Sequence, residues 1–161
     1  MKNTKSGIQI GLSEIKLLRF EIYDTPFLYD DSFDFSTIKN ELSFNFEQVG
    51  DEKLKVLVHL SLRYDISEKE EIELLHVDSL FFFQINQLSE IIETKNDIIS
   101  INAISVSYST LRGIVYSKTL GFALNRMILP VINPVDFFEN MKSKKGRKES
   151  SEADHQDKNQ Y

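Results

Sequence analysis

Two adjoining stretches decide how this chain folds: Ile104-Ser-Val-Ser-Tyr-Ser-Thr-Leu-Arg-Gly-Ile-Val-Tyr-Ser-Lys118 and Ile128-Leu-Pro-Val-Ile-Asn-Pro-Val-Asp-Phe-Phe138. In the first, Ile104, Tyr108, Leu111, Val115 and Phe122 recur at steps of four, three, four and seven, which lines one side of a helix with apolar groups. Much of the other side is serine and threonine with Arg112 and Lys118. A helix whose outer side carries so little charge packs on two surfaces, a sheet below and a second subunit above. Tyr108, Leu111, Gly113 and Val115 are therefore the candidate subunit-contact residues. Gly113 costs a helix interior about 1 kcal/mol relative to Ala, a cost that close approach of a second backbone would justify. In the second stretch Pro130 ends any helical run. Asn133-Pro134 then starts a short new helix, with Asn at the N-cap and Pro at the first helical position.

Upstream the period changes from helical to alternating. Ser13–Tyr23 reads as a strand whose phase slips at Leu17-Leu18, as a bulge requires. Glu41–Glu47 alternates with Leu42, Phe44 and Phe46 inward, and Lys53–Tyr64 with Leu54, Val56, Val58, Leu60, Leu62 and Tyr64 inward. The Val49-Gly-Asp-Glu52 turn between them makes a hairpin. Glu71–Asn86 forms a long fourth strand with a second phase slip at Leu74-Leu75. Its Phe81-Phe82-Phe83 run puts aromatic surface on both faces, so Phe82 calls for cover. A short helical turn over 87–94 and a break at Lys95-Asn-Asp97 precede the main helix, which the pattern starts near Ala103. A strand is the rival reading there, because Ile99, Ile101 and Ala103 alternate, and so do Ile104, Val106 and Tyr108.

The fold class is thus α+β: a four-stranded antiparallel sheet with a long crossover after strand 1, followed by a long helix and a short C-terminal helix. Residues 1–12 are an irregular lead-in, 13–141 the folded domain, and 142–161 a polar tail with no aliphatic side chain beyond Ala153, expected to be disordered. The crossover, Asp24–Lys39, is unusual for its rings: Phe27, Tyr29, Phe33 and Phe35. Either they pin the loop onto its own sheet, or they wall an apolar groove.

Composition narrows the function. The 161-residue chain has no cysteine, hence no disulfide framework, thiol nucleophile or zinc-thiolate site. From Lys142 onward there are six Lys/Arg and four Asp/Glu, leaving 13 against 21 over residues 1–141. An acidic body argues against nucleic acid as a partner. The N-terminus lacks a signal-peptide pattern and no apolar run is long enough to span a bilayer, so a cytoplasmic protein without membrane insertion is expected. His76 and Asp78 share a strand face and resemble half of a general-base pair, but no nucleophile elbow accompanies them. A structural cross-strand role is the expectation for that pair, and His59 alternates outward on the hairpin. Neither a phosphate loop nor a metal-ligand spacing is evident, so neither an enzyme nor a cofactor is expected.

Tyr108, Tyr116 and Lys118, then Leu129-Pro-Val-Ile-Asn133 and Phe138, together resemble the C-terminal half of SecB-type export chaperones over about 35 residues. That family's Cys-Pro-Asn and Phe-Pro-Tyr elements are replaced here by Ser109-Thr110-Leu111 and Ile114-Val115-Tyr116. The long crossover matches the family in position. The resemblance implies an ATP-independent holding chaperone, a homotetramer built as a dimer of dimers, that keeps non-native client polypeptides soluble in aromatic-lined grooves. The client-binding candidates are then Phe27, Tyr29, Phe33, Phe35, Phe44, Phe46, Phe81 and Phe83. It also implies handover to the translocase motor through an acidic sheet surface, for which Glu71 and Glu73 are on hand without a residue-by-residue match. The alternatives are a dedicated adaptor for a single partner, such as an antitoxin, and a small-ligand binder or enzyme without a recognisable motif.

Overall fold

The computed structural model describes residues 8–144 apart from 31, 69 and 128, in two compact units that divide between Leu129 and Pro130. The first unit holds four antiparallel strands and one long helix. The strands are β1 (Ile10–Ile22), β2 (Lys39–Val49), β3 (Lys53–Ser67) and β4 (Glu70–Ile85). They lie in the order β1-β4-β3-β2. Hairpins account for the adjacency of β2, β3 and β4, and the crossover between β1 and β2 carries the chain from one sheet edge to the other. The α+β architecture matches the sequence reading, with β1 beginning at Ile10, inside the expected lead-in.

Both phase slips are bulges. Leu17 pairs with Ser79 and Arg19 with Asp78, leaving Leu18 as the extra residue, and a further shift falls between Leu12 and Glu14. Leu62 pairs with Leu75 and Arg63 with Glu73, so Leu74 is the extra residue on β4. The β2–β3 pairing runs without a break to Val49 opposite Lys53, and Gly50 takes the positive φ of 71° that closes the turn. That turn also holds the start of the helix: the Ser89 backbone N–H donates to the Asp51 carbonyl at 3.2 Å, and the Ser89 hydroxyl donates to the Asp51 carboxylate at 3.0 Å.

The helix α1 (Leu88–Lys118) is a single 31-residue element, which corrects the short turn, break and later start expected from the sequence. No Gly or Pro interrupts Lys95-Asn-Asp97, and Leu88, Ile99, Ala103, Ile104, Tyr108, Leu111 and Val115 all lie buried on one continuous side. Phe122 is beyond the helix, which ends before Gly121 at φ 91°. By length and composition α1 is apolar enough to cross a membrane, contrary to the sequence expectation; its buried side packs on β1, β3 and β4. Between them lie the fully buried Val56, Val58, Val77, Phe81 and Phe83. Each large side chain so buried contributes about 1.5–3 kcal/mol. Ser79 and Ser107 are buried as well.

In the second unit residues 134–144 form a short helix, α2. Asn133 caps it as expected: its Oδ1 accepts from the Val135 N–H at 3.1 Å, and its Nδ2 donates to Asp136 at 2.8 Å. Residues 142–144, assigned by composition to the tail, continue this helix, and 145–161 lie outside the described residues.

Candidate functional site

The crossover is tied down at its base and open at its surface. Two 3-10 turns, Pro26–Tyr29 and Phe35–Thr37, order it. Asp34 caps the second by accepting from the Ser36 N–H at 2.9 Å, and Asp30 accepts from the Ser32 N–H at 2.8 Å and its hydroxyl at 2.7 Å. These bonds, from Ser36 to Asp34 and from Ser32 to Asp30, hold both carboxyls below their ordinary range. Leu28 is buried and anchors the loop. Phe27 and Phe33 pack 5.1 Å apart, and both rest on Tyr64 of β3, at 5.2 and 4.9 Å. Phe35 meets Phe33 edge-on at 5.0 Å. Arg126, in a 3-10 turn after α1 (Ala123–Arg126), stacks over Phe35 at 5.5 Å and donates to the Asp30 carbonyl at 3.0 Å.

The first reading describes the packing of Phe27 and Phe33 on Tyr64, and of the four rings Tyr29 alone lines a cleft. Phe27, Phe33 and Phe35 pin the loop to Tyr64 while remaining only half-buried, and Tyr29 is 65% exposed. A cleft of about 320 Å³ opens between Leu28 and Tyr29 on one wall and Gly121, Phe122 and Arg126 on the other. Tyr29 and Phe122 face each other across 6.4 Å. The sequence did not single out Phe122 and Arg126 for this surface, because they reach it only through the return of the chain after α1. Tyr64 closes the β3 alternation and was the one available signal.

The other candidates divide. Phe46 is half-buried on β2. Phe44 is 3% exposed, and Phe81 and Phe83 are fully buried. These three are core residues without surface for a client, because they lie on the inward phase of the sheet. Tyr108, Leu111 and Val115 are likewise buried against the sheet, so they are not subunit-contact residues. Only Gly113 lies on the outer side, where nothing approaches its Cβ position within 4 Å. That side displays Ile98, Val106 and Tyr116, followed beyond the helix by Leu120. The inward phase of edge strand β1 also remains in part uncovered, with Leu12, Ile15 and Leu17 each 37–40% exposed. Phe82 has local cover: the Lys16 ammonium lies 5.2 Å from its ring.

On the sheet face opposite α1, the strand register assembles polar groups that are far apart in sequence. His59 of β3 pairs with Asp78 of β4, and Ser61 with His76. His59 Nδ1 is 2.8 Å from one Asp78 oxygen and His76 Nε2 is 3.0 Å from the other. His76 Nδ1 lies 3.1 Å from Glu73, which also accepts from the Ser61 hydroxyl at 2.6 Å. Burial works against the charge on Asp78, and the bonds to His59 and His76 outweigh it, holding its carboxyl below the usual range. Glu73 is treated alike, with Ser61 as its first partner. Beside it the Tyr23 hydroxyl, bonded to Glu21, has its pKa pushed up to about 12. The absence of a ligand set in the sequence is thus corrected at the level of placement: His59, His76 and Asp78 bring their donor atoms within 4.8 Å of one another.

A two-layer α+β domain with an aromatic crossover at one end of its helix layer is the class that this geometry defines. No family model and no curated protein matches the chain in sequence. Among solved structures it is similar to a SecB-like chaperone of Mycobacterium tuberculosis in complex with a peptide from an antitoxin, at 14% identity and a TM-score of 0.47, over 76% of this chain and 90% of that one. It is also similar to a protein of unknown function from Streptococcus agalactiae, at 10% identity and a TM-score of 0.38, over 79% of this chain and 99% of that one.

Proposed function

We propose that this protein is a SecB-like holding chaperone that binds extended, non-native polypeptide segments through its aromatic crossover. One observation carries the reading: Phe27, Tyr29, Phe33 and Phe35 stand on a base fixed by Leu28, Tyr64 and the turn that Asp34 caps, and still leave ring surface and a cleft open. Rings held in place lose little entropy on binding, and apolar burial gives about 25 cal/mol per Å² before ordering costs. Contacts of this kind are tolerant of sequence, as holding of many clients requires, and need no ATP or cofactor. The reading places the protein in the cytoplasm, as a homotetramer and not an enzyme, delivering some clients to the translocase motor.

The test replaces Phe27 and Tyr29 with serine. The variant is expected to keep its circular dichroism and assembly mass but to lose most suppression of aggregation of an unfolded protein without ATP. Unchanged suppression would move the site off the crossover. If the unmutated protein suppresses nothing and a host pull-down returns a single partner, such as an antitoxin, the dedicated-adaptor reading takes its place.

A further inference from the structure

We propose that His59, His76 and Asp78 form a binding site for a divalent transition metal of the zinc class, on the sheet face that α1 leaves open. The first argument is a count of protons. His76 has a carboxylate at each ring nitrogen, Glu73 at 3.1 Å from Nδ1 and Asp78 at 3.0 Å from Nε2. A neutral imidazole has one N–H and satisfies one of them. Donation from Nδ1 to Glu73, whose same oxygen also accepts from the Ser61 hydroxyl at 2.6 Å, leaves the Nε2 lone pair facing an Asp78 oxygen. A second ring proton or a metal ion resolves that contact, and the third donor atom, His59 Nδ1 at 2.8 Å from the other Asp78 oxygen, is what a metal ion uses. Arg19 also approaches, with its Nη1 3.4 Å from Nε2 while its Nη2 bonds Glu21 and Tyr23, so the guanidinium must move aside for the ion.

The donor set specifies which cation. Two imidazole nitrogens with one carboxylate oxygen suit zinc, copper or nickel, whereas magnesium and calcium prefer all-oxygen shells. A histidine ligand whose second nitrogen donates to a carboxylate is the recurrent outer-shell arrangement at zinc, and Glu73 with Ser61 supplies it. Bonds of about 2.0–2.1 Å to a tetrahedral ion put donor atoms about 3.3 Å apart. The two N–O separations here are 2.8 and 3.0 Å, and all three donors lie within 4.8 Å, so small side-chain rotations admit the ion. The side chains of His59, His76 and Asp78 are 27%, 13% and 26% exposed, which leaves a fourth position open to water. Charge agrees: Glu21, Glu73 and Asp78 are three carboxylates against Arg19 and, through Ser61, Arg63, and a cation offsets the excess. The ion would join β3 to β4 at their centre.

The experiment is titration of the full, chelator-stripped chain with zinc, and with cobalt for its visible spectrum, with magnesium as the control. One tight site per chain, tetrahedral cobalt bands and a higher Tm with zinc but not magnesium are expected. His59→Gln and His76→Gln should each weaken binding at least 100-fold, and Glu73→Gln by about 10–100-fold, as an outer-shell partner does. Absence of zinc binding by the folded, unmutated chain overturns the proposal, whatever the variants do. Undiminished binding in folded His59→Gln and His76→Gln variants overturns it as well, and places the ion elsewhere, for instance at His155. Neither result bears on the holding of clients.

Discussion

Single side chains set how firmly the crossover is held. Asp34 accepts the Ser36 N–H and has its carboxyl held down by that bond. A carboxyl with a lowered folded pKa stabilises above its unfolded value, about 3.9, and that contribution is lost as pH falls through the folded value. Asp34→Ala is therefore expected to have a lower Tm than the parent at pH 6, with the difference shrinking once pH falls below about 3.9. A difference that persists unchanged in acid would show that the cap does not act through the charge. At this scale the sequence was informative wherever the partner is local, as at Asn133-Pro134 and Gly50. It was silent on His59, whose partners Asp78 and His76 lie on the next strand, 19 and 17 positions along the chain.

At the scale of elements, α1 carries the main consequence. One side forms the core, and the other shows Ile98, Val106 and Tyr116 around Gly113. Adding a methyl group at Gly113 meets nothing within 4 Å in the single chain. Gly113→Ala is accordingly expected to stabilise the dissociated chain by about 0.5–1 kcal/mol, read as a higher denaturant midpoint at high dilution. Destabilisation at assembly concentrations alone would show a second backbone close to this position. The strands were legible because alternation reports burial directly, and two of the four register shifts announced themselves as paired leucines, Leu17-Leu18 and Leu74-Leu75. The helix was legible in type but not in extent. Its β-branched first half, rich in isoleucine, satisfies both periods, and packing on the sheet selects the helical one.

For the whole molecule, apolar surface remains on the inward phase of β1 and the outer side of α1. Surface of that extent on one chain calls for cover by another. Light scattering behind a sizing column at micromolar concentration is expected to give a mass well above 18.7 kDa. A clean monomer would remove the tetramer from the proposed function and leave the crossover as a site on an isolated chain.

Sequence by itself determined the period of each segment, and with it four strands, a long helix, a short capped helix and the aromatic character of the crossover. These are local quantities, set by the spacing of apolar groups and by turn chemistry. Only tertiary structure decided which rings are core and which are surface. Phe81 and Phe27 look alike along the chain, yet one faces α1 and the other ends on Tyr64 with part of its ring open. Strand order and register likewise decided that His59, His76 and Asp78 converge. The reason is physical: burial and proximity depend on which element lies opposite, and a residue's own neighbours in sequence do not encode that.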